Sequence, residues 1–275
     1  LAIHEPKSGS AFNEPIISFE MNEKLAEGTL TFSRTGGGED INSPHEVLIL
    51  PPFNDQGRHD GISLANDVTL KDGSVYEITF NARDPAGNVS SPVKVENILY
   101  DISPPTITAD SPSSGSFLQN LKLQFSVDEQ LANGEITVEY LIGTADQNSP
   151  HVIPLQESQL LLGSHEVLAN ELTTLVSGAG YNVFIKGKDR AGNSAIPGEV
   201  GQLHYDIEPP VITIHSPNTG QKVNHTIVGF SIGEKLQDLT IKWAASQAEE
   251  QNIILPKKYF LPDQYNQVVL PEPPE

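Results

Sequence analysis

The sequence predicts an all-β chain of Greek-key sandwiches in tandem. Three observations carry that expectation: apolar residues alternate with polar ones, turn-forming residues punctuate the chain, and a set of motifs recurs 105 residues further on. The 22 Gly and 21 Pro show no collagen-like period, so they read as stops between short strands. No stretch holds apolar residues at helical spacing, and none approaches the length of a membrane-spanning helix. With 275 residues and 37% hydrophobic content, several small cores are expected rather than one large one.

The strands follow in order. Ile17, Phe19 and Met21 alternate with polar residues, as do Leu123, Phe125, Val127 and then Val228, Phe230, Ile232. A period of two places each set on one buried strand face. The next strand carries Leu30 and Phe32, then Ile136, Val138 and Tyr140, then Leu239, Ile241 and Trp243. Late in the unit, Tyr76, Ile78, Phe80 and Ala82 match Tyr181, Val183, Ile185 and Gly187. Short strands with turns between them, over about 100 residues, suit a seven-stranded sandwich. Tyr76 and Tyr181 open the penultimate strand after the turns Lys71-Asp-Gly-Ser74 and Ser177-Gly-Ala-Gly180. A tyrosine corner belongs there, its hydroxyl bonding to upstream backbone.

The repeat is read from several motifs in one order. Tyr76 leads to Asp84-Pro-Ala-Gly87-Asn88, and Tyr181 leads to Asp189-Arg-Ala-Gly192-Asn193. Tyr100-Asp101-Ile-Ser-Pro-Pro105 returns as Tyr205-Asp206-Ile-Glu-Pro-Pro210. Phe19-Glu-Met-Asn-Glu23-Lys-Leu25 returns at Phe125 to Leu131 with Glu129, and at Phe230 to Leu236 with Glu234. The boundaries that follow are 1–102, 103–207 and 208–275. The third repeat reaches residue 275 before any Tyr…Asp-x-Ala-Gly-Asn segment, so it is expected to lack its last strands.

The Glu-x-Leu, Tyr…Asp-x-Ala-Gly-Asn and Tyr-Asp-x-x-Pro-Pro pattern resembles bacterial immunoglobulin-like repeats, similar in form to fibronectin type III domains, of large secreted or surface proteins, many of them adhesins. The resemblance covers the first two repeats and the first half of the third. It implies tandem immunoglobulin-like sandwiches arranged as an extended rod in an extracellular or cell-surface protein. Such repeats commonly act as spacers, with neighbouring repeats as their first partners and host or matrix protein or glycan beyond them. Two other roles stay open: a ligand-binding module, or an accessory region of a large secreted enzyme.

Composition excludes several classes. The net charge of −20, from 36 acidic and 16 basic residues, repels phosphate backbones, so nucleic acid is not an expected partner. The acidic surface serves solubility, or some carboxylates hold hard cations; composition is compatible with either. With no cysteine, there are no disulfides, thiolate metal sites or cysteine nucleophiles. The sequence starts at Leu1 without a signal peptide and reads as a fragment. Nor is there a nucleophile elbow, a phosphate loop or a His-Glu-x-x-His, so no catalytic residue is expected.

The chemistry is expected at the junctions. In a sandwich of this topology the second-to-third-strand loop and the last hairpin turn lie at the end where the chain arrives. Glu129, Asp189 and Asn193 should therefore crowd the receiving end of repeat 2, where the short linker delivers Asp101. Three carboxylates and an amide suit calcium, which takes about six to eight oxygens; interdomain calcium in related adhesin repeats supports that expectation. Asp206 with Glu234 would serve the next junction, and Glu23, Asp84 and Asn88 the receiving end of repeat 1. The same residues also suit a plain hairpin turn, with Asp capping backbone N–H groups and Gly87 or Gly192 taking positive φ. Pro-Pro linkers are expected to be stiff. The recurring His45/His151 and His59/His165 number too few per repeat for a zinc site and are expected in turn hydrogen bonds.

Overall fold

The computed structural model describes residues 1–243 and 251–271. By contacts the chain falls into two compact units, Leu1–Asp206 and Ile207–Glu275.

The first unit opens with β1 (Ala2–Glu5), β2 (Ala11–Phe12), β3 (Ile16–Met21), β4 (Glu27–Gly37), β5 (His45–Leu48), β6 (Gly57–Ser63), β7 (Ser74–Arg83) and β8 (Val93–Tyr100). They form a three-stranded sheet, β1-β3-β6, facing a five-stranded sheet, β2-β8-β7-β4-β5. The same order then recurs as β9 (Ile107–Ser111), β10 (Phe117–Leu118), β11 (Lys122–Val127), β12 (Leu131–Gly143), β13 (His151–Pro154), β14 (Gly163–Leu168), β15 (Ala179–Asp189) and β16 (Gly198–Tyr205). Its sheets are β9-β11-β14 and β10-β16-β15-β12-β13.

Each repeat therefore carries one strand segment more than the expected seven. The first strand divides between the sheets, and its second part pairs in parallel with the last strand, Ala11 opposite Leu99 and Phe117 opposite His204. The cause is local. Pro6 and Pro112 have no N–H with which to continue the first ladder, and Gly9 and Gly115 turn the chain at φ of +80°.

Period-two alternation builds the cores. Phe19, Leu30, Phe32, Tyr76, Ile78, Phe80 and Ile98 are buried between the first pair of sheets. The rings of Phe19 and Phe80 meet edge to face at 5.0 Å. Phe125, Ile136, Val138, Tyr181, Val183, Ile185 and Leu203 do the same in the second repeat. Each such side chain contributes roughly 1.5–3 kcal/mol by leaving water, so two separate cores stand in one compact unit.

The second unit has β17 (Ile212–Ser216), β18 (Ile227–Ile232), β19 (Thr240–Trp243), β20 (Gln251–Ile254) and β21 (Asp263–Val269). They pair as β17-β18-β21 and β19-β20 around Val228, Phe230, Ile232, Leu239, Leu255, Val268 and Leu270. These correspond to β1, β3, β4, β5 and β6 of repeat 1, in the same order; no strand equivalent to β2 is present among the described residues of this unit. Strands equivalent to β7 and β8 are not among the described residues of this unit.

Two networks fix the far side of each sandwich in the first unit. The Tyr76 hydroxyl accepts the Lys71 N–H at 2.9 Å, and the Tyr181 hydroxyl accepts that of Val176 at 2.9 Å. Each hydroxyl also donates to an aspartate, Tyr76 to Asp40 at 2.6 Å and Tyr181 to Asp146 at 2.7 Å. The same carboxylates take Nε2 of His45 and of His151, both at 2.7 Å. Burial works to raise Asp40 and Asp146, but the hydrogen bonds from tyrosine and histidine outweigh it and hold both below the ordinary carboxylate range. Burial, followed by the adjoining carboxylate, pushes both phenols up. His59 and His165 instead bond the backbone carbonyls of Asp55 and Leu161, at 2.8 and 2.6 Å.

Candidate functional site

The site at the end of repeat 1 is assembled from four pieces of chain. Asp101 follows β8, and its N–H donates to the Phe12 carbonyl at 3.0 Å, so the end of the last strand is tied to β2. The linker 102–105 then runs into β9. Glu129 sits in the loop between β11 and β12, and Asp189 ends β15. One carboxylate oxygen from each of Asp101, Glu129 and Asp189 lies within 4.8 Å of the other two. This is the one such group of three potential ligands among the described residues.

Asp189 is 4% exposed, while Asp101 and Glu129 are half-buried. Its Oδ1 accepts the N–H of Gly192 at 2.7 Å and of Asn193 at 2.8 Å, closing the turn in which Gly192 adopts φ of +99°. A side chain on that backbone would be strained, which is why glycine stands there. Asp101 accepts the Ser103 N–H at 3.0 Å, and Glu129 accepts no hydrogen bond among the described residues. Two further acids brace the linker from either side. Asp72 accepts the Ile102 N–H and the Ser103 hydroxyl, both at 2.8 Å, and Asp128 accepts the Thr106 N–H at 2.6 Å.

The electrostatics are those of crowded anions. Burial, then the charges of Asp189 and Asp72, push the Asp101 carboxyl up. Burial, then Asp101, Asp189, Asp128 and Asp72, do the same to Glu129. A cleft of about 230 Å³ opens beside the group, lined by Ala11, Leu99, Gln130 and Arg190 as well as by the three acids. Arg190 forms no ion pair with them. An all-oxygen donor set with free lone pairs and excess negative charge fits a hard divalent cation better than zinc or copper.

Asn193 stands in the cluster, but both ends of its amide are already engaged. Nδ2 donates to the Asp101 carbonyl at 2.9 Å, to the Ser103 carbonyl at 3.3 Å and to Asp189 Oδ2 at 2.7 Å. Oδ1 accepts from Asn13 Nδ2 at 3.0 Å. The amide therefore joins the two repeats directly. Neither Asn13 nor the bracing pair Asp72 and Asp128 was foreseen from the sequence. Asp72 alone left a signal, in the turn before Tyr76.

At the receiving end of repeat 1, Asp84 and Asn88 repeat that turn, with Gly87 at φ of +94°. Asn88 donates its N–H to Asp84 Oδ1 at 2.7 Å and its side-chain amide to Oδ2 at 2.6 Å. These bonds hold the Asp84 carboxyl below its usual range. Glu23 is exposed and joins no group of three acids among the described residues. Asp206 closes the first unit as Asp101 closes repeat 1, donating its N–H to the Leu118 carbonyl at 2.9 Å and accepting from the Ser177 hydroxyl at 3.1 Å. Glu234 belongs to the second unit, in the loop after β18.

No family model and no curated protein matches the sequence. Among solved structures, the chain is similar to the fibronectin(III)-like modules of Clostridium thermocellum CbhA, with 15% identity, 74% of this chain and 93% of that one covered, and a TM-score of 0.37. It is similar to a tetra-tandem repeat in the extending region of a large adhesion protein, at 14% identity, 98% and 65% coverage and a TM-score of 0.30. Chicken CNTN1 FN1-FN3 domains align at 10% identity, 95% and 89% coverage and a TM-score of 0.27. The sheets themselves carry the fold assignment: β1-β3-β6 against β8-β7-β4-β5 is the strand arrangement of an immunoglobulin or fibronectin type III sandwich.

Proposed function

We propose that the chain is a non-catalytic spacer segment of a bacterial extracellular or cell-surface adhesive protein, in which calcium stiffens the junction between repeats. The reading rests on one observation: the three carboxylates of Asp101, Glu129 and Asp189, each from a different piece of chain, converge within 4.8 Å where repeat 1 meets repeat 2. Like charges held that close oppose the junction unless a cation joins them. With calcium bound, Asp101 ties the cation to repeat 1, and Glu129 with Asp189 ties it to repeat 2. The chain's own contribution is to hold these oxygens in place through the Gly192–Asn193 turn and the braced linker. Outside such a junction, each side would be an ordinary acidic surface.

Calorimetric titration with calcium tests this. Saturable binding is expected in the native chain and its loss in Asp101→Asn and Glu129→Gln; a native chain that takes up no calcium refutes the cation's role. Hydrolase assays on the same preparation are expected to give no turnover.

A further inference from the structure

Among the described residues one turn occurs twice, once engaged by the neighbouring repeat and once exposed. Asp189–Asn193 and Asp84–Asn88 share their internal bonds: the asparagine N–H goes to one carboxylate oxygen and its amide Nδ2 to the other, at 2.8 and 2.7 Å in repeat 2 and at 2.7 and 2.6 Å in repeat 1. Around Asn193 the rest of the amide is occupied by the exit of repeat 1. Nδ2 reads the carbonyls of Asp101 and Ser103, and Oδ1 takes Nδ2 of Asn13. Asn193 is half-buried by these contacts, whereas Asn88 is exposed. Its turn already has the engaged geometry.

The exit end of repeat 2 has the same register and sequence pattern. Leu118 pairs with Tyr205 as Phe12 pairs with Tyr100, so Gln119 stands in the register position of Asn13, again a side-chain amide. Asp206 bonds the Leu118 carbonyl through its N–H as Asp101 bonds that of Phe12. The main-chain carbonyls of Asp206 and Glu208 correspond to those of Asp101 and Ser103.

We propose that Asn88 and its turn form a preformed docking face for the exit end of a like repeat, read through main-chain carbonyls and a side-chain amide without metal. This rests on the spacer reading of the chain but not on calcium. A main-chain carbonyl is present whatever the side chain, so one asparagine can register any repeat that leaves through an Asp-Ile-x-Pro-Pro linker. Such a neutral clamp also fixes the register in which the acids of a junction meet, before any cation arrives.

The test extends the chain by placing a copy of residues 107–211 ahead of Leu1, which reproduces the linker spacing of the existing junction. Backbone relaxation by NMR in EDTA reads whether the added repeat and repeat 1 tumble together. Common tumbling is expected, with its loss in Asn88→Ala, the added repeat then moving as a single domain of ~100 residues. Should Asn88→Ala disturb the turn itself, Gln119→Leu in the added copy removes the amide from the other side and is expected to loosen the contact. Independent tumbling with both amides intact, or common tumbling that survives both substitutions, overturns the proposal. Because no calcium is present, a failed calcium titration leaves this result untouched, and failure here leaves the titration to stand by itself.

Discussion

Replacing Asp101 by asparagine should change the junction in opposite directions with and without calcium. The substitution keeps an oxygen for the Ser103 N–H and removes one charge, along with two of the three repulsive pairs. At 4.8 Å a like-charge pair costs about 3.5 kcal/mol at an effective dielectric of ~20 and about 0.9 kcal/mol in water. Asp101 and Glu129 are half-buried, so the relief should lie toward the lower end, about 2 kcal/mol in all. For a unit of about 200 residues this raises the melting temperature by roughly 4–8 °C in EDTA. Calcium at about a hundredfold its dissociation constant should stabilise the native chain by about 2.7 kcal/mol and the variant much less. Differential scanning calorimetry of both proteins in EDTA and in calcium gives the four melting temperatures. The variant should be the more stable in EDTA and should lose that lead in calcium. A variant that melts lower in EDTA, or a native chain indifferent to calcium, refutes the electrostatic reasoning.

Tyr181→Phe should cost repeat 2 about 2–4 kcal/mol, because it strips a hydrogen bond from the buried Asp146 carboxylate and leaves the Val176 N–H without its acceptor. Faster amide exchange across β15, with repeat 1 unchanged, checks this. On acidification, the depressed Asp40 and Asp146 carboxyls contribute stability that is present above the ordinary aspartate pKa and lost as pH falls through their lower folded values. A near-ultraviolet tyrosine circular dichroism titration should show that loss at acid pH, and Asp146→Asn should reduce its slope.

The junction acids were legible in the sequence because repeat spacing and sandwich topology together decide which loops share an end. Asp101, Glu129 and Asp189 needed nothing more. The histidine networks were half-legible. His45 and His151 were expected in turns, yet the run Asp-x-Asn-Ser-Pro-His at 40–45 and 146–151 already carried the aspartate partner. Periodicity does not show that this loop folds back on the tyrosine of a strand 36 residues away. Asn13 left no signal, since it reaches Asn193 across 180 residues of sequence and only the docked repeats bring them together.

Sequence alone determined the alternating strands, the 105-residue period and the ends at which the acids gather, because pleat and chain direction are local properties that repeat with the motif. Tertiary structure alone decided which oxygens are already spent. It commits the Asn193 amide to the linker, divides the first strand between two sheets and leaves Glu129 with both oxygens open among the described residues. Hydrogen bonds between distant segments depend on a fraction of an ångström in the packing of two domains, and no pattern along one chain encodes that distance directly.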